Sequence, residues 1–314
     1  MSSIRFEGTG CYLPPKVLTN DDLAQMVDTS DEWIFERTGI KTRRINEGLS
    51  NAEMATRACE RALCRSGVDP GDLCCLVLST STPDTLLPAT ACEVHHLMGL
   101  PEQVIAFDLN AACPGFLVAL TVARGMMLQH PDKKALVVAS EFYSDLLDWT
   151  DRSTCVLFGD GAGAAVLGLV EGRCFFTGGT REGAEALYAK ASPRDGGDYH
   201  VVKMKGQQVF RFAVRALQDA IADLLGQSGL ALGDIDHFVF HQANARIIKH
   251  VCDRLSIDPG KVFMNVRDLG NTSSASSAIC LAQMDEQGLL KRGDTVLMVC
   301  FGAGLAWEGL LFEW

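Results

Sequence analysis

The sequence predicts an α/β fold built from two similar halves. Helix-like and strand-like runs alternate along the chain, the pattern of layered α/β proteins. One helix–turn–strand signature occurs twice, about 160 residues apart. The chain has 314 residues and is 47% apolar, enough for a large core.

The first copy opens on a helix-like run from Ala52 to Ser66. Gly67-Val68-Asp69-Pro70-Gly71-Asp72-Leu73 then leads into the strand-like Cys75-Leu76-Val77-Leu78. The second copy runs from Val209 to Ser228. It passes through Gly229-Leu230-Ala231-Leu232-Gly233-Asp234-Ile235 into His237-Phe238-Val239-Phe240. Downstream, Asp108-Leu109 matches Asp268-Leu269, and Ala135-Leu136-Val137-Val138 matches Val296-Leu297-Met298-Val299. The break falls near Glu171-Gly172, so the halves are 1–170 and 171–314. No low-complexity linker lies between them, and one compact unit is expected. Packing about a pseudo-twofold axis brings the turns at Cys113 and Asn271 to equivalent points of one cleft.

Bulk properties narrow the function. A net charge of −11 argues against nucleic acid as a partner. Met1-Ser2-Ser3-Ile4-Arg5 lacks the apolar region of a signal peptide, and no charge-free apolar stretch is long enough to span a membrane. A cytoplasmic protein is expected. Its 12 cysteines then read as reduced thiols, and no metal-binding spacing is present.

Three residues carry candidate chemistry. Cys113 lies between the strand-like run ending at Phe107 and the apolar run starting at Phe116, with Pro114 at a helix start. A helix N-terminus there favours a thiolate, although an inert buried cysteine is the commoner use of the residue. His241 follows Phe238-Val239-Phe240, at the carboxyl end of a strand, where α/β proteins place ligands. Asn271 sits in Gly270-Asn271-Thr272-Ser273; alone it reads as a turn residue. Cys, His and Asn together suit acyl-thioester chemistry, with the thiolate holding an acyl group while His and Asn stabilise an enolate. A cysteine hydrolase uses the same residue types, with His as the base.

At this point the chain resembles the β-ketoacyl-acyl-carrier-protein synthase III enzymes of the thiolase superfamily, over essentially its whole length. The resemblance rests on Thr29-Ser30-Asp31-Glu32-Trp33-Ile34, Arg37-Thr38-Gly39-Ile40, Ala112-Cys113 and Asp151-Arg152. It continues through Phe158-Gly159-Asp160-Gly161-Ala162-Gly163-Ala164, His241-Gln242-Ala243-Asn244, Gly270-Asn271-Thr272-Ser273, Phe301-Gly302-Ala303-Gly304 and Trp307. The glycine cluster reads as a tight turn and lacks dinucleotide-site spacing.

The resemblance implies a thiolase-like duplicated fold in α-β-α-β-α layers. It implies condensation of an acyl-CoA primer with malonyl-acyl carrier protein, with loss of carbon dioxide, to start fatty-acid synthesis. Cys113 would carry the acyl group, His241 and Asn271 would promote decarboxylation, and the N–H groups of Cys113 and Ala303 would form an oxyanion hole. Trp33 and Arg152 would sandwich adenine, with Thr29, Arg37, Phe210 and Asn244 along the coenzyme A tunnel. Leu87, reaching across a homodimer interface, would shape the acyl pocket with Phe158 and Phe301. No cofactor or metal is implied beyond the coenzyme A thioester substrate, and no membrane partner.

The acidic carrier protein needs a basic landing site. Arg211 and Arg215 share a face of one helix-like segment, and Arg246 and Lys249 share a face of another. Pro114, Ala303, Glu308 and the pair Ser276-Ser277 depart from the family pattern; Glu308 stands where glycine is expected, and the two serines follow Ala275 where the family tends to be apolar. Leucine at 87, in place of a bulky aromatic, implies tolerance of acyl chains longer than acetyl. The alternatives are a specialised homologue loading an unusual acyl group in secondary-metabolite or cofactor-precursor biosynthesis, a non-catalytic partner subunit, and a thioesterase.

Overall fold

The computed structural model describes residues 2–190 and 200–314. The chain begins with β1 (Ser2–Tyr12), β2 (Lys16–Thr19), α1 (Asn20–Ala24), α2 (Asp31–Thr38), β3 (Thr42–Ile45), α3 (Asn51–Ser66), β4 (Leu73–Ser79), α4 (Thr90–Leu97), β5 (Ile105–Leu109), α5 (Gly115–Met127), β6 (Lys134–Glu141) and β7 (Gly161–Glu171). It continues with β8 (Phe175–Thr180), β9 (Leu187–Ala189), β10 (Val202–Met204), α6 (Gly206–Ser228), β11 (His237–Phe240), α7 (Ala245–Leu255), α8 (Val266–Leu269), α9 (Ala275–Glu286), β12 (Thr295–Gly302) and β13 (Ala306–Glu313).

Local signals set the repeated helix–turn–strand units. Ser50 and Glu53 form a capping box at the start of α3. Gly67 and Gly229, the matched glycines of the repeat, end α3 and α6 with φ of 66° and 76°, a left-handed conformation that glycine adopts without steric cost. Beyond each glycine a short 3₁₀ turn feeds β4 or β11.

The strands form two principal sheets of matching order. One runs β1-β7-β6-β4-β5, all five strands lying within Ser2–Glu171, where β2 and β3 pair separately. The other runs β8-β13-β12-β11, from Phe175–Glu313. The pairings β4–β6 and β11–β12 are parallel, while β6–β7 and β12–β13 are antiparallel. A single parallel bridge from Phe238 to Val262 stands where β5 stands in the first sheet. Asp108 and Asp268 therefore differ in setting: the first lies in β5, the second in the helical turn α8. The buried Gln242 is the reason, because its Oε1 accepts the N–H groups of Asn265 and Val266 at 3.1 and 3.2 Å and so caps α8.

Helices α5 and α9 fill the layer between the sheets. Phe116, Leu120, Ile279 and Met284 pack there against Val77 and Val137 on one side and Met298 and Phe312 on the other. Helices α3 and α4 cover the outer face of the first sheet, and α6 and α7 that of the second. The result is an α-β-α-β-α stack. The glycine cluster expected as a tight turn instead enters β7. Gly163 is needed because a Cβ there would lie 2.6 Å from the Ala278 Cβ, where α9 presses on the strand.

Glu308 faces this middle layer from β13. Its Oε1 pairs with the Thr121 hydroxyl of α5 at 3.1 Å, and it lies opposite Gly178, whose missing side chain makes room for the carboxyl. Burial pushes this carboxyl up from 4.5 to about 7. The fold thus holds the proton more tightly than the unfolded chain does, and ionising Glu308 erodes stability as pH rises from 4.5 towards 7. Glu308→Gln keeps the shape and cannot ionise. Its Tm should exceed that of the parent at pH about 8.5 and match it near pH about 4.5. An equal shift at both pH values would show that the carboxyl's charge is not the cause.

Candidate active site

The Cys113 turn follows β5 and opens α5. Asn110 Oδ1 accepts the Ala112 N–H at 3.1 Å, and Ala112 takes a φ of 51°. That left-handed conformation costs a non-glycine residue roughly 1–3 kcal/mol, strain of the kind that gathers at functional sites. Gly302, at the end of β12, comes so close that a Cβ there would sit 2.9 Å from both Cys113 N and Cys113 Cβ. Glycine at 302 is therefore what lets the second sheet reach the thiol.

The matching turn before α9 supplies Asn271. Its N–H donates to Leu157 O at 2.8 Å and its C=O accepts from Gly159 N–H at 3.0 Å, bridging to Phe158 of the first half. Its Oδ1 accepts the Ser273 N–H at 2.8 Å, which leaves the amide nitrogen as the free donor. Ser273, like Ala112, has a positive φ, here 47°. Its hydroxyl lies 3.5 Å from Cys113 Sγ. The two helix-entry turns thus meet at the thiol.

His241 sits just past β11, its N–H donating to Val299 O at 3.0 Å. The ring stands edge-on to Phe301, with centroids 5.2 Å apart, and Nδ1 lies 2.7 Å from the Ser276 hydroxyl. Burial drives the imidazole down to about 3, so it is neutral at physiological pH. Burial also pushes the Cys113 thiol up to about 12, only partly offset by the Ser273 hydroxyl. The sequence argument from the helix N-terminus expects a thiolate; burial instead favours the neutral thiol. Thiol and imidazole both rest uncharged.

A cavity of ≈ 710 Å³ joins these groups to the surface. Cys113, His241, Asn271, Phe158, Phe301 and Gly302 line its floor. Trp33, Arg37, Arg152, Phe210 and Asn244 line it as well, together with Arg211 and Arg246. The Arg37 and Arg152 guanidinium carbons lie 4.5 and 4.9 Å from the Trp33 ring centroid, a cationic aromatic stack at the mouth. Asn244 caps α7 by accepting the Arg246 N–H at 2.8 Å and donates to Arg37 O at 3.0 Å, which ties the two arginine-bearing elements together.

Other expected residues lie outside that lining. Thr29 is near the mouth by chain position, and its hydroxyl is buried without a partner among the described residues. Ala303 is half-buried in the turn after β12. Leu87 is 87% exposed, so this chain does not bring it to its own cavity. Arg215 and Lys249 are exposed, and Arg215 pairs with Asp219 at 3.5 Å.

The structure gives site contacts to residues that sequence pattern left without a role. Ser273 and Ser276 touch Cys113 and His241. Glu141 is buried and accepts from the Ser274 hydroxyl at 2.6 Å, the Thr82 hydroxyl at 3.1 Å and the Ser81 N–H at 3.0 Å. It thereby ties the α9 turn to the first sheet. Tyr143 stacks on Phe158 with centroids 4.8 Å apart. The serine run Ser273-Ser274 and Ser276-Ser277 was the one available signal, since four serines at a helix start imply local hydrogen bonding.

Comparison with known proteins identifies the family. The family model described as 3-oxoacyl-[acyl-carrier-protein] synthase III matches residues 107–178, and its C-terminal counterpart matches 225–314. The β-ketoacyl-[acyl-carrier-protein] synthase III of Clostridium beijerinckii is 40% identical, with 100% of each chain covered. The crystal structure of 3-oxoacyl-[acyl-carrier-protein] synthase III from Aquifex aeolicus superposes with a TM-score of 0.93 at 40% identity, over 99% of this chain and 100% of that one. The Thermus thermophilus enzyme also gives 0.93 at 40% identity, over 98% of each chain. With two α/β halves, a thiol at the seam and relatives matched end to end, this chain belongs to the β-ketoacyl-acyl-carrier-protein synthase III family of acyl-transferring condensing enzymes with the thiolase fold.

Proposed function

We propose that this enzyme condenses an acyl-CoA primer with malonyl-acyl carrier protein, through an acyl-Cys113 intermediate, and so initiates fatty-acid synthesis. One observation carries the reading: a single cavity runs from the Trp33–Arg152 stack to Cys113, His241 and Asn271. Adenine enters beside Trp33, flanked by Arg37 and Arg152, and the pantetheine arm follows Phe210 and Asn244, with Thr29 nearby.

Cys113 Sγ attacks the primer thioester. The C–S bond to coenzyme A breaks, and the coenzyme leaves as a thiol with the cysteine's proton. The Cys113 N–H, which no oxygen takes among the described residues, and the Ala303 N–H hold the developing oxyanion. The malonyl thioester then occupies the emptied tunnel. Hydrogen bonds from His241 and Asn271 to its carbonyl oxygen stabilise the enolate left when carbon dioxide departs. The enolate carbon attacks acyl-Cys113, the C–S bond to cysteine breaks with the thiolate as leaving group, 3-oxoacyl-acyl carrier protein is released, and Cys113 regains its proton from water. The uncharged His241 can fill this role, because a neutral imidazole keeps one N–H to donate. The scheme needs no metal or cofactor.

The partner surfaces belong to the same proposal. Arg211 and Arg246 at the mouth, with Arg215 and Lys249 beyond it, offer a basic rim to an acidic carrier protein. A second copy of the chain docks along the free edge of β5. That edge and the neighbouring loop and α4 expose Ile105, Leu86, Leu87 and Leu97, an apolar set of the kind that marks interfaces. Leu87 of each copy then helps shape the partner's acyl pocket with Phe158 and Phe301. The division into halves 1–170 and 171–314 rests on the matching order of the two sheets. The setting is the cytoplasm, in keeping with 12 free cysteines.

Incubation with acetyl- to decanoyl-CoA, followed by intact-protein mass, should give a single adduct that Cys113→Ala abolishes. At least one donor longer than acetyl should load better than acetyl does. No adduct on folded protein with any donor would sink the acyl-enzyme; acetyl loading as well as or better than every longer donor would sink the Leu87 reading. Arg215→Glu with Lys249→Glu should raise KM for malonyl-acyl carrier protein several-fold and leave acylation by acetyl-CoA unchanged. An unchanged KM would place carrier docking elsewhere.

A further inference from the structure

The hydrogen-bond geometry behind His241 fixes which ring nitrogen carries the proton. Nδ1 lies 2.7 Å from Ser276 Oγ, and the backbone N–H of Gln242 donates to the same oxygen at 3.3 Å. Both side chains are buried. A serine hydroxyl has one proton and two acceptor sites. If Nδ1 bore a proton, Oγ would accept twice. The serine's own proton would then be buried with no acceptor among the described residues. If the serine donates to Nδ1, its own proton, the Nδ1 lone pair and the Gln242 N–H are all paired. The imidazole then carries its proton on Nε2, the nitrogen Ser276 leaves free.

We propose that Ser276 is a positioning residue that holds His241 in its Nε2–H tautomer, so that the ring donates to the malonyl thioester oxygen and cannot act as base towards Cys113. In its catalytic part this rests on the condensing reading above. It also separates this site from a cysteine hydrolase, where the histidine must accept the thiol proton through an unprotonated nitrogen. The first turn of α9 is suited to the task. Ser276 N–H donates to Ser273 O at 3.2 Å, so one short segment sets both the Cys113 neighbour and the His241 partner.

Two measurements test it. In substrate-free wild-type protein labelled with ¹⁵N-histidine, assigned by comparison with His241→Asn, His241 should show a protonated Nε2 and an unprotonated Nδ1. A protonated Nδ1 would overturn the proposal. Ser276→Ala should slow carbon dioxide release from malonyl-acyl carrier protein by about 10- to 100-fold, short of or near the roughly 10²- to 10³-fold cost of losing an oxyanion donor outright. Acylation of Cys113 by acetyl-CoA should be unchanged, and Ser276→Thr, which keeps the hydroxyl, should restore release. Unchanged carbon dioxide release in folded Ser276→Ala would also overturn it. Wild-type protein that releases no carbon dioxide would instead defeat the condensing reading, and the nitrogen spectrum would still decide the tautomer.

Discussion

The meeting of two helix-entry turns at Cys113 is the constraint on which the site depends. Helices α5 and α9 lie back to back between the sheets, and each is entered through a strained residue, Ala112 at φ 51° and Ser273 at φ 47°. The close packing that holds them leaves 3.5 Å between Cys113 Sγ and Ser273 Oγ. Gly302 and Gly270 make the approach possible. A side chain at 302 would strike Cys113, and one at 270 would lie 2.8 Å from Leu157 O. Neither half holds the constellation alone, since Cys113 comes from one and His241 and Asn271 from the other.

Burial without a charged partner sets the chemistry. The same desolvation lowers His241 to about 3 and raises Cys113 to about 12. A resting thiolate–imidazolium pair would reverse both shifts, as in cysteine hydrolases. Here both groups rest neutral, and in the proposed reaction the hydrogen-bond donors meet negative charge only as it develops. That is how preorganised electrostatic stabilisation works: the donors cost no reorganisation at the moment charge develops. The charged groups stay at the mouth, where Arg37 and Arg152 stack on Trp33 and solvent reaches them.

Much of this was legible in the sequence because it depends on local signals. The glycines at 67 and 229 mark helix ends, and the runs after them are strands by composition. Cys113 and His241 were placed at strand ends by the apolar runs before them, and the repeat brought Asn271 towards the thiol. What sequence pattern missed depends on packing across the chain. Ser276 reads only as a polar residue where the family tends to be apolar, with no partner named, until β11 lays His241 against it. Gly163 looks like a turn residue because the need for a missing Cβ comes from α9, more than a hundred positions away. Asp268 resembles Asp108, yet Gln242 captures the N–H groups just before it and makes a helical turn where the first half has a strand. Leu87 faces outward, so the acyl-pocket role expected of it finds no counterpart within its own chain.

The central claim is a division of labour: Cys113 takes the acyl group, while His241 and Asn271 act on the malonyl partner. The most direct measurement follows acylation and carbon dioxide release separately in His241→Ala and Asn271→Ala. The account predicts that both variants still load Cys113 from acetyl-CoA and that each loses most of its carbon dioxide release, by roughly 10²-fold or more. Loss of acylation with carbon dioxide release intact would contradict it and mark His241 as the base of Cys113.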